Sequence, residues 1–249
     1  MKLGKRLAAI AHQVKGPYHA IWDCCCDHGQ LGMALLASQH AQTVHFVDCV
    51  PSITAQLQTT LATCASATNY RVHTMDVFDL PLDQAPCVQS PPLAQLIVIA
   101  GVGGELTLAM VQHLAARFAS HSLEFLLCPV RHQYALRQGL INSGLSLVDE
   151  VLIEENRRFY EIIHLSNTPR DAAAQSTAQA PLTPLQPRGS KLWQPFGELQ
   201  QHYLTKQLQH WALARRGSAV GSDEDKRICA VLEDYHNLQN TVLKAKAPL

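Results

Sequence analysis

Ile21-Trp22-Asp23-Cys24-Cys25-Cys26-Asp27-His28-Gly29-Gln30-Leu31 runs from an apolar, strand-like stretch through a loop into the start of a helix. In open α/β sheets, ligands bind at the carboxyl ends of strands, near the point where the strand order reverses. A site is therefore expected here. Asp23 and Asp27 bring carboxylates able to hold a cationic group, while Asp27 has the alternative of capping the following helix.

Outward from this stretch, short apolar runs alternate with helix-length segments, the pattern of crossover units that build a parallel sheet. Strands are expected at His19 to Cys25, Thr43 to Asp48, Tyr70 to Asp76, Ala94 to Ala100, Leu123 to Val130, Ser146 to Glu154 and Phe159 to Leu165. Only Glu155 to Arg158 separate the last two, too few residues for a crossover, so those strands form an antiparallel hairpin. The sum is a doubly wound, Rossmann-like α/β fold of seven strands whose last strand inserts antiparallel. Class I methyltransferase sheets end in this way.

This domain is expected to span residues 1–166. A proline-rich stretch, NTPRDAAAQSTAQAPLTPLQPRGS, reads as a linker over 167–190. In 191–249, Phe196, Leu199, Tyr203, Leu208 and Trp211 suit one amphipathic helix, and Ile228, Val231, Tyr235, Leu238 and Val242 another. Ser222 with Asp225 resembles a capping box opening the second. The expected unit is a C-terminal α-helical hairpin with coiled-coil character. It would serve as a dimerisation or stabilising tail, or as an arm that contacts nucleic acid.

Two further acids stand at strand ends. Asp48 closes the second strand, where a carboxylate can accept both ribose hydroxyls of an adenosine. Asp76 closes the third; it could take the adenine amino group while Val77 covers the ring. Acids in order at three strand ends point to S-adenosyl-L-methionine, which has no phosphate and needs no dense glycine cradle. His28 is the one histidine expected near it. The fourth strand opens into Gly101-Val102-Gly103-Gly104-Glu105-Leu106, which fails as a dinucleotide fingerprint because Leu106 stands at its third glycine. These glycines permit a flat ligand to approach bare backbone, or form a tight turn into the next helix.

The remaining composition excludes several classes. No HExxH, GxSxG or Walker pattern accompanies the 13 histidines, so hydrolase, NTPase and metalloprotease chemistry has no support, and no metal is expected. The eight cysteines contain no CxxC pair and read as buried reduced thiols. No apolar run approaches the ~20 residues of a membrane span. The apolar start of the chain is interrupted by His12 and Gln13, and Leu3, Leu7, Ile10 and Val14 mark a helical face instead of a secretory core. A cytoplasmic protein is expected. Net charge is zero, but Lys and Arg exceed acids only beyond residue 169, ten against seven.

Taken together, these residues resemble the bacterial tRNA (adenine-22, N1)-methyltransferase family, over nearly the whole chain. The matching pieces are Leu3-Gly4-Lys5-Arg6-Leu7, Asp23 with Asp27-His28 and Leu31, IAGVGGEL at 99–106, and VDEVLIEENRRFYEII at 148–163. Two departures stand out. Cys25 replaces a glycine in the cofactor loop, which would narrow the pocket. Leu127-Cys128-Pro129-Val130 replaces Leu-Gln-Pro-Asn, removing polar groups beside the acceptor.

The resemblance implies displacement of the sulfonium methyl by adenine N1, whose lone pair is free at neutral pH, so that no strong base is required. Backbone near Ala100, Gly101, Gly103 and Gly104 would orient the base. Tyr160 would be either a platform for the base or a core aromatic. Lys5, Arg6, Arg131, Arg157 and Arg158, with Lys191, Lys206, Arg215 and Arg216, would contact tRNA phosphates or simply solvate the surface. The expected partner is tRNA, with the chain a monomer or a weak homodimer through its C-terminal helices. The rival readings are a methyltransferase for another RNA, a small molecule or a protein, and a noncatalytic module that binds ligand without turnover.

Overall fold

The computed structural model describes residues 3–64, 69–84, 93–167 and 184–246. It divides into two compact units, 1–189 and 190–249. Residues 168–183, most of the stretch read as a linker, lie outside the described residues. Leu185, at the end of that stretch, is buried in the core of the first unit.

The first unit opens with helix α1 (Lys5–Gln13) and continues β1 (Tyr18–Cys24), α2 (Gln30–Ser38), β2 (Ala41–Asp48), α3 (Pro51–Ala62) and β3 (Tyr70–Thr74). It ends with β4 (Gln95–Ala100), α4 (Gly104–Arg117), β5 (Leu123–Cys128), α5 (Gln133–Leu140), β6 (Ser146–Glu155) and β7 (Arg158–Ser166). All seven strands form one sheet in the order 3-2-1-4-5-7-6. Strands β1 to β5 pair in parallel, and β7 runs antiparallel between β5 and β6. The expected seven-stranded fold is therefore present; two strands, β3 and β5, stop two residues earlier than read.

Its sequence pattern follows from burial on both faces. In QLIVIA of β4, Ile97 and Ile99 pack with α4 and α5 residues such as Val111, Leu114 and Leu136. Leu96 and Val98 face Ile10 of α1, Leu35 of α2 and Leu57 of α3. A strand covered on both sides loses polar alternation and reads as a continuous apolar run. The β6–β7 hairpin turns on Asn156 and Arg157, both left-handed (φ 51° and 61°), as a two-residue turn with the twist of paired strands demands.

One polar cluster crosses this core. Arg137 of α5 is wholly buried and donates Nη1 to Glu150 of β6 and Nε to Glu161 of β7, both at 2.6 Å. Burial opposes its charge, but the pull and hydrogen bonds of Glu161 and Glu150 prevail and hold it above the usual arginine value.

In the second unit, α6 (Glu198–Gly217) and α7 (Asp223–Lys246) pack together, with Trp193 stacked on Tyr203 and edge-on to Tyr235. Ser222 Oγ accepts from Asp225 N, as a capping residue does; the Asp225 carboxylate takes Gly221 N and Arg215 Nε.

Replacing Arg137 by leucine leaves two buried carboxylates facing each other. Chemical denaturation should show a loss of about 3–5 kcal/mol; a loss below 1 kcal/mol would mean the triad does not hold the hairpin.

Candidate active site

Asp23 sits one residue before the end of β1. Strand alternation sends Trp22 and Cys24 to one core and turns Asp23 to the opposite face. There it is 2 % exposed, and its Oδ2 has no hydrogen-bond partner among the described residues. Gly32 of α2 makes this placement possible, because a Cβ on Gly32 would strike the Phe46 ring and lie 2.7 Å from Asp23 Oδ2. Burial raises the carboxyl to about 7 from 3.8, the Gly32 backbone N–H works against that rise, and the charge of Asp48 adds to it.

The loop after β1 is wound tightly. Cys25, Asp27 and Gly29 all take left-handed backbone (φ 56°, 48° and 69°). Cys25 stands where the resembling family places glycine, and its φ explains that preference, since a side chain costs roughly 1–2 kcal/mol in this region. Backbone and carboxylate bonds hold the turn: Cys26 N to Val47 O (3.1 Å), Asp27 N to Asp48 Oδ2 (3.2 Å) and Gly29 N to Cys26 O (2.8 Å). Asp27 is not the cap of α2. That place belongs to Gly29, without a side-chain bond, while Asp27 is exposed with its carboxylate 3.6 Å from His28 Nε2.

A cleft of about 360 Å³ opens above this loop. Arg6, Leu7, Asp23, Cys25, Cys26, Asp27, His28, Gln30, Leu31, Ala100, Gly101 and Val102 line it. It lies between the carboxyl ends of β1 and β4, where the strand order reverses. Five of the cofactor residues expected from sequence, Asp23, Cys25, Asp27, His28 and Ala100, come together here with Gly101. Burial, followed by the charges of Asp48, Cys49, Asp23 and Asp76, pushes the Cys25 thiol up to about 11, so it stays protonated.

Asp48 and Asp76 flank this group without lining the cleft. Asp48 latches two loops, accepting from Val50 N at Oδ1 (3.0 Å) and from Asp27 N at Oδ2. Asp76 Oδ1 accepts from Phe78 N and starts a short 3-10 turn, Val77–Asp79. Val77 is 4 % exposed and belongs to the core, so its side chain does not present a surface to a ring.

Three further expectations change. Gly103 and Gly104 do not leave backbone open to a ligand: a Cβ on Gly104 would meet His132 O at 2.6 Å, and one on Gly103 would meet Arg131 Nε at 3.1 Å. They let α4 dock on the loop after β5, through Gly104 N to Arg131 O (2.9 Å). Gly101 is the open one; its φ is 90°, and a Cβ there would meet only Arg6 Nη1, at 4.0 Å. Tyr160 is not a bare platform, because the Arg6 guanidinium covers its ring at 5.3 Å. Arg6 itself belongs to the cleft and not to an outward basic surface.

Of the other basic residues, Lys5, Arg131, Arg157 and Arg158 are exposed on the first unit. In the second unit Arg216 is exposed, Lys191 and Lys206 are half-buried, and Arg215 pairs with Asp225 at 3.2 Å. Sequence reasoning missed Leu7, Cys26, Gln30, Leu31 and Val102 as lining residues. Arg6 carried a readable sign, since it stands four residues before the wholly buried Ile10 on the same face of α1. Among the described residues no group of three His, Cys, Asp or Glu could hold a metal ion, and no helix is long and apolar enough to cross a membrane.

Residues 3–163 match the family model described as a methyltransferase domain. The chain belongs to that methyltransferase family. No curated protein matches it by sequence. Among solved structures it is similar to Mycoplasma capricolum TrmK in complex with S-adenosyl-homocysteine, at a TM-score of 0.72 and 14 % identity over 96 % of this chain and 98 % of that one. It is also similar to the Bacillus subtilis m1A22 tRNA methyltransferase TrmK (0.65, 19 %, 98 % of each chain). A third is Streptococcus pneumoniae Sp1610 with S-adenosyl-L-methionine (0.64, 20 %, 93 % of this chain and all of that one). At these identities the likeness establishes the fold, including its C-terminal helices.

Within this methyltransferase, Asp23 makes stability depend on pH. Its folded pKa lies above its ordinary value, so its contribution is complete below about pH 4 and is lost as pH rises through 7. Asp23→Asn should therefore melt higher than the parent at pH 8, by a margin on the order of 3–4 kcal/mol, and converge with it near pH 4. Parallel melting curves for the two proteins across that range would refute the buried charge.

Proposed function

We propose that this chain is an S-adenosyl-L-methionine-dependent methyltransferase acting on tRNA, with N1 of adenosine 22 as the acceptor. The observation that carries the cofactor assignment is Asp23: a carboxyl group buried at the switch point, with an oxygen that no group among the described residues satisfies. Such an atom costs free energy unless a ligand supplies a donor, and an ammonium does so. The half-buried, left-handed loop at Cys25 and the apolar Leu7, Leu31 and Val102 suit the thioether chain beside it.

In this reading Asp23 and Asp27 receive the amino group of the methionine end. Asp48 and the free oxygen of Asp76 serve the ribose and adenine. When bound, the cofactor supplies an electrophilic methyl group. The protein's own task is to exclude water and orient the acceptor, since the adenine N1 lone pair needs no proton removed. The carbonyls of Ala100 and Gly101 accept from the adenine N6 amino group and align N1; orientation of this kind supplies much of a barrier reduction. The tRNA assignment rests on the motifs at 99–106 and 148–163 and on the fold likeness. Lys5, Arg131, Arg157 and Arg158, with Arg216 of the second unit, are exposed and would meet tRNA phosphates in this reading.

Two measurements test this. Incubated with unmodified total tRNA and the cofactor, the protein should generate 1-methyladenosine detectable by nucleoside mass spectrometry, and a transcript with guanosine at position 22 should stay unmethylated. Methylation that persists in that transcript would move the site, and methylation of another RNA, a small molecule or a protein alone would replace tRNA as substrate. By calorimetry, Asp48→Ala, which releases Asp27 N and Val50 N as well as losing the ribose acceptor, should weaken cofactor binding at least a hundredfold. Undiminished binding would remove Asp48 from the site.

A further inference from the structure

Arg6 is half-buried and lines the same cleft as Asp23 and Asp27. Its surroundings are defined by the Tyr160 ring, which supports the guanidinium at 5.3 Å, by the buried Cys128 thiol, whose titration feels the charge of Arg6, and by Gly101, where a Cβ would lie 4.0 Å from Nη1. Its backbone N–H is held by Glu155 Oε1 (3.4 Å), the carboxylate at the end of β6 that meets the otherwise uncapped N-terminus of α1.

What Arg6 lacks is a counter-ion. Among the described residues no carboxylate lies within ion-pair distance of its guanidinium. Glu155 is used on the backbone, Glu161 is committed to Arg137, and Cys128 is a neutral thiol whose pKa burial pushes up to about 12. The cleft thus holds an unpaired cation at the α1–β7 side and an unsatisfied buried acid, Asp23, at the β1 side. One ligand group answers both at once: the zwitterionic end of an α-amino acid.

We infer that Arg6 is the receptor for the carboxylate of the cofactor's methionine end, with Tyr160 as the residue that positions it. This rests on the cofactor reading above. A guanidinium fork binds a carboxylate through paired N–H donors, and stacking on Tyr160 limits the side-chain freedom lost on binding. The tyrosine acts through Arg6 and not on the target base.

The test separates this role from general support of the pocket by comparing two ligands in calorimetry: S-adenosyl-homocysteine and its decarboxylated analogue, which keeps the amine, thioether and adenosine. Wild type should prefer the carboxylate-bearing ligand. Arg6→Gln should lose tenfold to a hundredfold in affinity for S-adenosyl-homocysteine while binding the analogue as wild type does, and Arg6→Lys should recover part of the loss. Tyr160→Leu should follow Arg6→Gln in direction with a smaller loss, whereas Tyr160→Phe, which keeps the ring face, should match wild type. An equal loss for both ligands would make Arg6 a structural residue only and overturn the inference, as would no change for either. Wild type binding neither ligand would instead bring down the cofactor reading itself, and this inference with it.

Discussion

Two carboxylates and one guanidinium, all removed from water, set the geometry of the β7–β6 edge of the sheet. Glu150 and Glu161 belong to neighbouring antiparallel strands, and Arg137 reaches both from α5. Left alone, the two acids would repel at close range in a medium that screens poorly, so the hairpin is stable only with α5 in place. The consequence extends through the sheet. Side chains alternate, so fixing Glu161 toward α5 turns Tyr160 and Ile162 toward α1. A slip of one residue would exchange Tyr160 with Glu161 and leave Arg6 without its ring. The cation in the cleft is thus held in register by an ion cluster on the other face of the same strand.

The β1 side uses buried charge differently. Asp23 and Glu155 each stand close to the start of a helix whose own capping residue is glycine, Gly29 for α2 and Gly4 for α1. Neither glycine offers a side-chain acceptor, so a carboxylate from a strand meets each first turn, where backbone N–H groups and the helix dipole favour negative charge. For Glu155 the arrangement is partly exposed to water. For Asp23 it is enclosed, and one backbone N–H does not offset the loss of solvent. The free protein therefore carries a strained group at the position where a cationic ligand would relieve it, which is how binding energy and ligand-free stability come to oppose each other at one residue.

Much of this was legible in sequence, for identifiable reasons. Runs such as QLIVIA and LEFLLC are strands because both faces are covered, and the four residues between VLIE and FYEII leave no topology but a hairpin. Asp23 could be placed because a strand end is a one-dimensional landmark. The failures share a cause. Gly103 and Gly104 mark close approach of backbone to something, but sequence does not say to what, and the answer is the loop at Arg131 and His132. Val77 follows an acid at a strand end but turns inward into the core. Arg137 sits in QYALRQGL with nothing to distinguish it from a solvated arginine, since its partners lie in two other elements. Arg6 was grouped with Lys5 by composition, although its spacing to Ile10 already placed it on the buried face of α1.

That regrouping changes the electrostatic reading of the cleft. Had Arg6 faced outward with Lys5, the site would be lined by acids alone, suited to a cationic donor but repelling any polyanion brought against it. With Arg6 inside, the acids Asp23 and Asp27 from the end of β1 and its loop share one cavity of about 360 Å³ with a cation from α1. Their interactions are only partly screened where the lining is apolar, as at Leu7, Leu31 and Val102. The same partition orients a zwitterionic ligand end by both of its charges. Arg131, Arg157 and Arg158 are exposed on the first unit and take no part in the cleft's lining. A site for a sulfonium donor therefore needs its charges separated more than it needs them balanced.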